Sequence, residues 1–367
     1  MSKRTTTRQG SNKAEVLQAC TTVAVDLAKQ VFQVAGENAR GEVVYEQRLR
    51  SREAFSRFLG SLPAGMPVLL ETGPGAQAWA RQLQAGGQQP RILPAQRVEE
   101  HRSGAKNDRN DVLALLRAGR DRSICPVPVK SVQALAIQAL HRVRRGYVRR
   151  RTAVGNQIRG LLLEHGIAIA QGGPALAQRA ARVVEDASQP VPDLVRELVA
   201  DLLAEWHHLG DRARALKADL KQVAEQDETS RRLMTVRGFG EVIATALVAK
   251  QLDPDRFPSA RQFAAYFGTV PEQHSSGHRI RLGRMSKRGD GYVRSLVIEG
   301  AHAVLRQLRP DSTAPDDRRL NRWLQRHGRK GAAVRLANRN LRIAWVLLKR
   351  NQAVYQRQPE RLEARMH

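Results

Sequence analysis

Two short apolar runs in the first eighty residues end in the same way, and that shared ending restricts the fold more than any other feature of the chain. Thr21-Thr22-Val23-Ala24-Val25-Asp26 and Pro67-Val68-Leu69-Leu70-Glu71 lack polar alternation, so each reads as a buried strand, and each closes on a carboxylate. Strands buried on both faces rarely stop on acids without a reason. Between them, Val31-Phe32-Gln33-Val34-Ala35 and Val43 to Leu49 read as two further strands joined by a turn over Gly36 to Gly41, which is the spacing of an antiparallel meander. Ser51 to Leu62 places Phe55, Phe58 and Leu59 on one helical face. Gly73-Pro74-Gly75 breaks the fourth strand, Ala76 to Ala85 returns as a helix, and Arg91-Ile92-Leu93-Pro94 is a short fifth strand.

Asn107-Asp108 stands directly before Val112-Leu113 and Leu115-Leu116, a helix start that projects Asp108 and Asp111, three residues apart, from one face. The resulting order, βββαβαβα, is that of the ribonuclease-H-like fold, of which five strands and the helix after the fifth can be counted. In that topology the first and fourth strands are neighbours, so Asp26 and Glu71 meet at one sheet end and the final helix carries Asp108 and Asp111 over it. Each acid also has a simpler use: Asp108 as a helix cap, Asp111 as a solvated first-turn acid, Asp26 capping a turn, Glu71 in a salt bridge. Convergence of all four favours a site for two Mg²⁺ ions about 3.5–4 Å apart, the arrangement for in-line displacement at phosphorus.

The chain has 62 Lys+Arg against 35 Asp+Glu, a net charge of +27, far beyond what solubility needs, which implies a polyanionic partner. No run of 18 apolar residues exists, so nucleic acid is preferred over a membrane. Residues 1–20 read as a disordered basic tail without the apolar core of a signal peptide, and Cys20 and Cys125 form no metal motif or disulfide framework, which fits a cytoplasmic location. No acid occurs between Asp121 and Glu164, a stretch holding Arg142, Arg145, Arg149, Arg150, Arg151 and Arg159. Leu140, Val143, Tyr147, Val154, Ile158 and Leu161 step through it by threes and fours, predicting a long helix with one packing seam and one phosphate-binding face. After the break at Gly172-Gly173-Pro174, an apolar stripe from Val195 through Trp206 to Val223 predicts a coiled coil or helical hairpin, closed within the chain or by self-association.

Gly238 and Gly240 lie in a turn that resembles a helix–hairpin–helix, whose amides would suit a phosphate, although an ordinary turn explains the glycine pair by itself. Ser275-Ser276-Gly277 follows in a loop with Arg279 and Arg281, then Lys287 and Arg288. A serine attacking phosphorus needs nearby cations and a means of losing its proton, whereas a polar turn before a β-ribbon explains the serines equally well. From Arg326 to Arg350 the chain is again acid-free, with Arg339 and Arg342 on a basic helix whose apolar face is Leu341, Ala344, Trp345 and Leu348.

Val25-Asp26-Leu27-Ala28-Lys29, Leu70-Glu71-Thr72-Gly73 and Lys106-Asn107-Asp108-Arg109-Asn110-Asp111 together resemble the DEDD motif of a family of insertion-sequence transposases with a RuvC-like N-terminal domain. Ser275-Ser276-Gly277 followed by Leu282-Gly283-Arg284-Met285-Ser286-Lys287-Arg288-Gly289-Asp290 resembles the C-terminal domain of the same bridge-RNA-guided recombinases. Pro271-Glu272-Gln273 departs from that family's commoner Pro-Arg-Gln. The resemblance implies a RuvC-like DEDD nuclease domain (21–125), a basic helical or coiled-coil region (126–228), a mostly helical serine transposase domain (229–350) and a tail (351–367). It also implies Mg²⁺ on Asp26, Glu71, Asp108 and Asp111, Ser276 as nucleophile with Ser275 as the alternative, and a covalent phosphoserine link to DNA. The partners it implies are element-end and target DNA, a noncoding bridge RNA, and further copies of the chain in a dimer or tetramer that shares composite sites. A water-using junction nuclease and a non-enzymatic nucleic-acid-binding protein are the competing readings.

Overall fold

A computed structural model describes residues 13–105, 107–274, 281–350 and Tyr355. The chain divides into two compact units, Met1–Ser131 and Val132–His367. In the first, α1 (Lys13–Gln18) precedes β1 (Thr22–Leu27), β2 (Phe32–Glu37), β3 (Val43–Leu49), α2 (Arg52–Gly60), β4 (Pro67–Glu71), α3 (Ala76–Ala85), β5 (Gln89–Leu93), α4 (Ala95–Glu99) and α5 (Asp108–Arg120). The sheet order is β3-β2-β1-β4-β5. β1, β2 and β3 form the antiparallel meander, and β4 and β5 run parallel to β1. This is the mixed sheet expected of a ribonuclease-H-like domain, with the first and fourth strands adjacent. The expected tail over 1–20 is corrected at its end: Lys13–Gln18 is helical, because Leu17 and Cys20 are buried against the sheet's core. α4 was not foreseen, as a five-residue helix is too short to show a period.

The sheet is covered on both faces, and strand alternation decides which side chains go where. Val23, Val25, Val34, Val68 and Leu70 pack with Phe55 and Leu59 of α2 and Trp79 and Leu83 of α3. Phe32 stacks on Phe55 at 4.1 Å and meets the edge of Trp79 at 5.6 Å. The opposite face presents Ala24, Ala35, Leu69 and Leu93 to Val112, Leu115 and Leu116 of α5. Small residues let α5 settle close: a Cβ on Gly119 would stand 2.2 Å from Leu69 Cδ1. Asn107 caps the helix by accepting the Asn110 N–H at 2.8 Å. At its other end Arg120 donates to Glu37 and to the Gly41 carbonyl, and Glu37 is paired with Thr22 at the beginning of β1. α5 therefore runs against β1, with its first turn over the strand's C-terminal end.

The second unit is mostly helical, as expected: α6 (Val132–Leu163), α7 (Gly173–Glu185), α8 (Asp193–Gln226), α9 (Glu228–Met234), α10 (Glu241–Val248), α11 (Ala260–Tyr266), the ribbon β6 (Pro271–Gln273) with β7 (Leu282–Met285), α12 (Gly291–Arg306) and α13 (Pro315–Lys349), which breaks at Gly328. The seam predicted for α6 holds in its second half, where Val154 and Ile158 are buried beside Leu162. In the first half it is corrected: Val143 is exposed, and the buried positions are Ala134 and His141. The reason is a change of partner along the helix, from α10 and α12 to α7 and α8. The stripe of α8 is covered within the chain at Trp206 and Leu209, which are buried against α6 and α7, whereas Leu198 is exposed. Arg232 is buried and closes the end of α13, donating to the carbonyls of Leu347 and Arg350 at 2.9 Å each.

Glycines at two helical positions make opposite demands. A Cβ on Gly300 of α12 would lie 2.1 Å from the Gly238 carbonyl oxygen, a backbone atom that cannot rotate away, whereas one on Gly160 of α6 would meet nothing within 4 Å. Gly300→Ala is therefore expected to destabilise the chain by about 1–3 kcal/mol or more. Gly160→Ala should stabilise it by about 0.5–1 kcal/mol through the lower helix propensity of glycine. Urea unfolding of both variants checks this, and equal midpoint shifts would refute the packing assignment.

Candidate functional site

The acidic site is built by strand register. β1 and β4 pair Ala24 with Leu69 and Val25 with Leu70. The pairing ends there, and Asp26 and Glu71 are the next residue of each strand at the same end of the sheet. Ala24 and Leu69 face α5, so Asp26 and Glu71, each two residues on, face it too. On the other side Asp26 pairs with Gln33 and Gln33 with Arg48, and the Arg48 guanidinium reaches up to Asp108 at 3.4 Å. A row Arg48–Gln33–Asp26–Glu71 thus crosses the sheet below the first turn of α5. Glu46, on the same face of β3, accepts two hydrogen bonds from Arg109 at 2.8 and 2.7 Å. Those hydrogen bonds hold its carboxyl below the usual range against the opposing effect of partial burial.

Asp111 is largely buried and sits 2.7 Å from Arg102, which approaches from the segment after α4. The Arg102 Nε–H is not aligned on the carboxylate oxygen, so the contact is an ion pair without a formed hydrogen bond. The backbone brings all four predicted acids to one face and one end of the sheet. Their side chains are not gathered into one cluster: among the described residues, no three acids, histidines or cysteines are close enough to hold a metal ion. Asp108 and Asp111 are each turned toward an arginine, which supplies the positive charge that two close carboxylates need. As a donor set, four carboxylates on rigid elements fit a hard divalent cation. Arg48 and Arg102 escaped the sequence reading; the register partner of Gln33 could have revealed Arg48, whereas nothing local marks Arg102.

The predicted cations divide into two groups. Arg142, Arg145, Arg149 and Arg150 are exposed on α6, with Arg145 over Tyr292 at 5.2 Å and Arg150 over Tyr147 at 5.0 Å. Arg151 is instead packed onto Trp206 at 3.7 Å, and burial lowers its pKa. Arg159 donates to the Gly172 carbonyl at 2.9 Å and serves the α6–α7 connection. Arg339 is held by Asp316 at 3.0 Å and by the Tyr355 hydroxyl at 3.2 Å, while Arg342 is exposed. Arg281, directly before β7, and Lys287 and Arg288, after it, are exposed. Ser275, Ser276 and Arg279 lie outside the described residues, in the connection between β6 and β7. Gly238 has φ +93° and packs against Gly300, and Gly240 caps α10, so both glycines serve the turn itself.

A buried polar network joins α6, α10 and α12. His141 Nδ1 lies 2.9 Å from the Tyr292 hydroxyl and Nε2 lies 3.1 Å from the Thr245 hydroxyl. Burial, then the charges of Arg144 and Lys250, lower the His141 pKa to about 4. Its neutral ring sets the Tyr292 ring beneath Arg145.

Residues 23–167 match the DEDD transposase family of the IS110 type, and residues 230–315 match the transposase IS116/IS110/IS902 family. A probable family 20 transposase of Pseudomonas aeruginosa is 40% identical over 89% of this chain and 96% of its own length. The transposase for insertion sequence element IS1328 of Yersinia enterocolitica is 34% identical over 89% of this chain and 96% of its own. The transposase for insertion sequence element IS1111A of Coxiella burnetii is 33% identical over 90% of each chain. The first family match spans the four acids, and the second spans the serine loop.

The His141 network gives stability a defined pH dependence. Its folded pKa, about 4, lies below the ordinary value of 6.5, so between these values the unfolded chain binds a proton that the folded chain refuses. Stability should fall as pH drops through that window, by up to about 1.4 kcal/mol per pH unit from this residue. Urea midpoints at pH 7 and pH 5 should therefore differ less for His141→Gln than for the wild type; equal differences would show that His141 is not buried neutral.

Proposed function

Because this chain belongs to the IS116/IS110/IS902 family of transposases, we propose that it cuts and rejoins DNA through a serine nucleophile assisted by Mg²⁺ at the DEDD carboxylates. The observation that supports the reading is the pairing of β1 with β4, after which Asp26 and Glu71 follow on the sheet face that α5, bearing Asp108 and Asp111, covers. A serine hydroxyl is a poor nucleophile at neutral pH and needs a base or a metal. No acid occurs between Glu272 and Asp290, so any carboxylate-held metal that assists the serine must come from another part of the fold.

In the proposed reaction the Ser276 oxygen attacks the scissile phosphorus and gives up its proton. The bond from phosphorus to one deoxyribose oxygen breaks, and that oxygen leaves as a hydroxyl after taking a proton. The phosphodiester becomes a phosphoserine ester, so a hydroxyl of the exchanged strand can reverse the step without another energy source. Asp26, Glu71, Asp108 and Asp111 would hold Mg²⁺, which neutralises phosphate charge and eases deprotonation of the attacking hydroxyl. Arg281, Lys287 and Arg288 offset charge developing on phosphorus. Arg48 and Arg102 hold Asp108 and Asp111 while the carboxylates lack that cation. Carboxylates and serine come from different copies of the chain in a dimer or tetramer acting in the cytoplasm.

A noncoding RNA from the same element selects the element ends and target, with its phosphates on the exposed arginines of α6. No helix among the described residues is long and apolar enough to cross a membrane. Charge reversal of Arg149 and Arg150 should weaken RNA binding and flatten its salt dependence, because both side chains are exposed. Arg151 is left unchanged in that variant because it supports Trp206. An unaltered affinity and slope would remove this face of α6 from the RNA site.

The deciding experiment traps the covalent protein–DNA adduct. Ser276→Ala and Asp111→Ala should each abolish it, together with recombination, while Ser275→Ala should be milder. Loss in Ser275→Ala alone would move the nucleophile by one residue. Strand cleavage surviving both serine substitutions would make water the nucleophile and the protein a metal-dependent junction nuclease.

A further inference from the structure

The second unit holds a cleft of about 1110 Å³ beside the ribbon that carries the serine loop. Pro271 of β6 and Leu282 and Met285 of β7 form one wall. The opposite wall belongs to α13, which contributes Arg319, Lys330, Arg335 and Arg342. A second cavity of about 930 Å³ continues it along the broken part of that helix, and Arg319, Trp323 and Arg335 line both. No acid stands among the described residues lining either space. The break at Gly328, with φ +64° and ψ 174°, separates the segment bearing Arg319 and Trp323 from the one bearing Arg335.

We propose that this cleft receives an unpaired segment of the DNA strand being exchanged, with one base stacked on Trp323 and its flanking phosphates on Arg319 and Arg335. The cleft's composition carries the assignment. Acid-free cationic walls suit a phosphate chain, and the apolar patches of Trp323, Ile343 and Val346 suit bases, whose faces need an aromatic or aliphatic partner. A duplex hides its base faces in its own stack and cannot use an indole in this way; an unpaired nucleotide can. The volume is that of roughly one or two drug-sized ligands, room for a few nucleotides and not for a double helix. Strand exchange must unpair a few nucleotides near the cut. The ribbon forming the other wall leads directly into the loop of Ser276, so DNA is favoured over RNA; this choice rests on the proposed function.

The full-length protein tests this with a labelled ten-nucleotide single strand, the matching duplex and the matching RNA. Trp323→Ala should weaken single-stranded DNA binding by roughly 5- to 150-fold, the range of one lost base stack, while leaving duplex binding unchanged. Trp323→Phe, which keeps an aromatic face, should recover most of the affinity. Arg335→Gln should lower the salt dependence of single-strand binding, which Trp323→Ala should not. In the wild-type protein, adding the single strand should quench the indole emission that Trp323→Phe lacks, a readout that needs no perturbed fold. Equal losses on duplex and single strand, an effect confined to RNA, or unquenched Trp323 emission would each overturn the proposal. None of these measurements requires cleavage, so Ser276→Ala should bind and quench like the wild type. Stacking intact in both proteins, with the covalent adduct persisting in Ser276→Ala, would then fault the nucleophile assignment alone.

Discussion

The parallel pairing of β1 with β4 is the constraint on which the first unit depends. These strands are distant in sequence, and the meander and helix between them must fold back before the pairing can form. Once it forms, the period of two along each strand fixes everything above the sheet. A slip of one residue would turn Asp26 and Glu71 toward Phe55 and Trp79, where a carboxylate would be buried among aromatic rings. It would also push Val25 and Leu70 against α5. The site and the core are therefore specified by the same hydrogen-bond ladder, and neither can be moved without the other.

α5 completes that arrangement because opposite charges hold its two ends over opposite ends of the strands. Arg120 anchors its last turn to Glu37, and Asp108 and Arg109 tie its first turn to Arg48 and Glu46. The exposed pairs add little stability individually, since solvent and salt screen them. Their value is orientation: they place the acidic first turn over the sheet end that bears Asp26 and Glu71. Arg48 and Arg102 also show how close acids coexist in a strongly basic chain, each taking a guanidinium as partner.

Much of this was legible in the sequence where a local rule governed it. β3, β4 and α3 have the bounds that their periodicity and flanking glycines predicted, and Asn107 caps α5 as its position before an apolar run implied. The prediction of a single charged face on α6 was less faithful. Arginines look alike in a linear pattern, yet Arg142 and Arg149 face solvent while Arg151 lies on Trp206 and Arg159 closes a loop. Whether a guanidinium meets water or an indole depends on what α8 brings to that turn of helix.

By itself the sequence determined the alternation of strands and helices, the four acids at element ends and the acid-free basic stretches, because each follows from residue type and spacing along one segment. Tertiary structure decided which cations are spent on the protein's own groups. Arg102 on Asp111, Arg232 on the end of α13 and Arg339 on Asp316 join residues that no local period relates. It also decided that Trp323 would stand in a basic cleft beside the serine ribbon, since that depends on the break at Gly328 and on how β6 and β7 lie against α13. Spacing along a segment fixes which face a residue occupies; what that face meets is set only when distant segments pack.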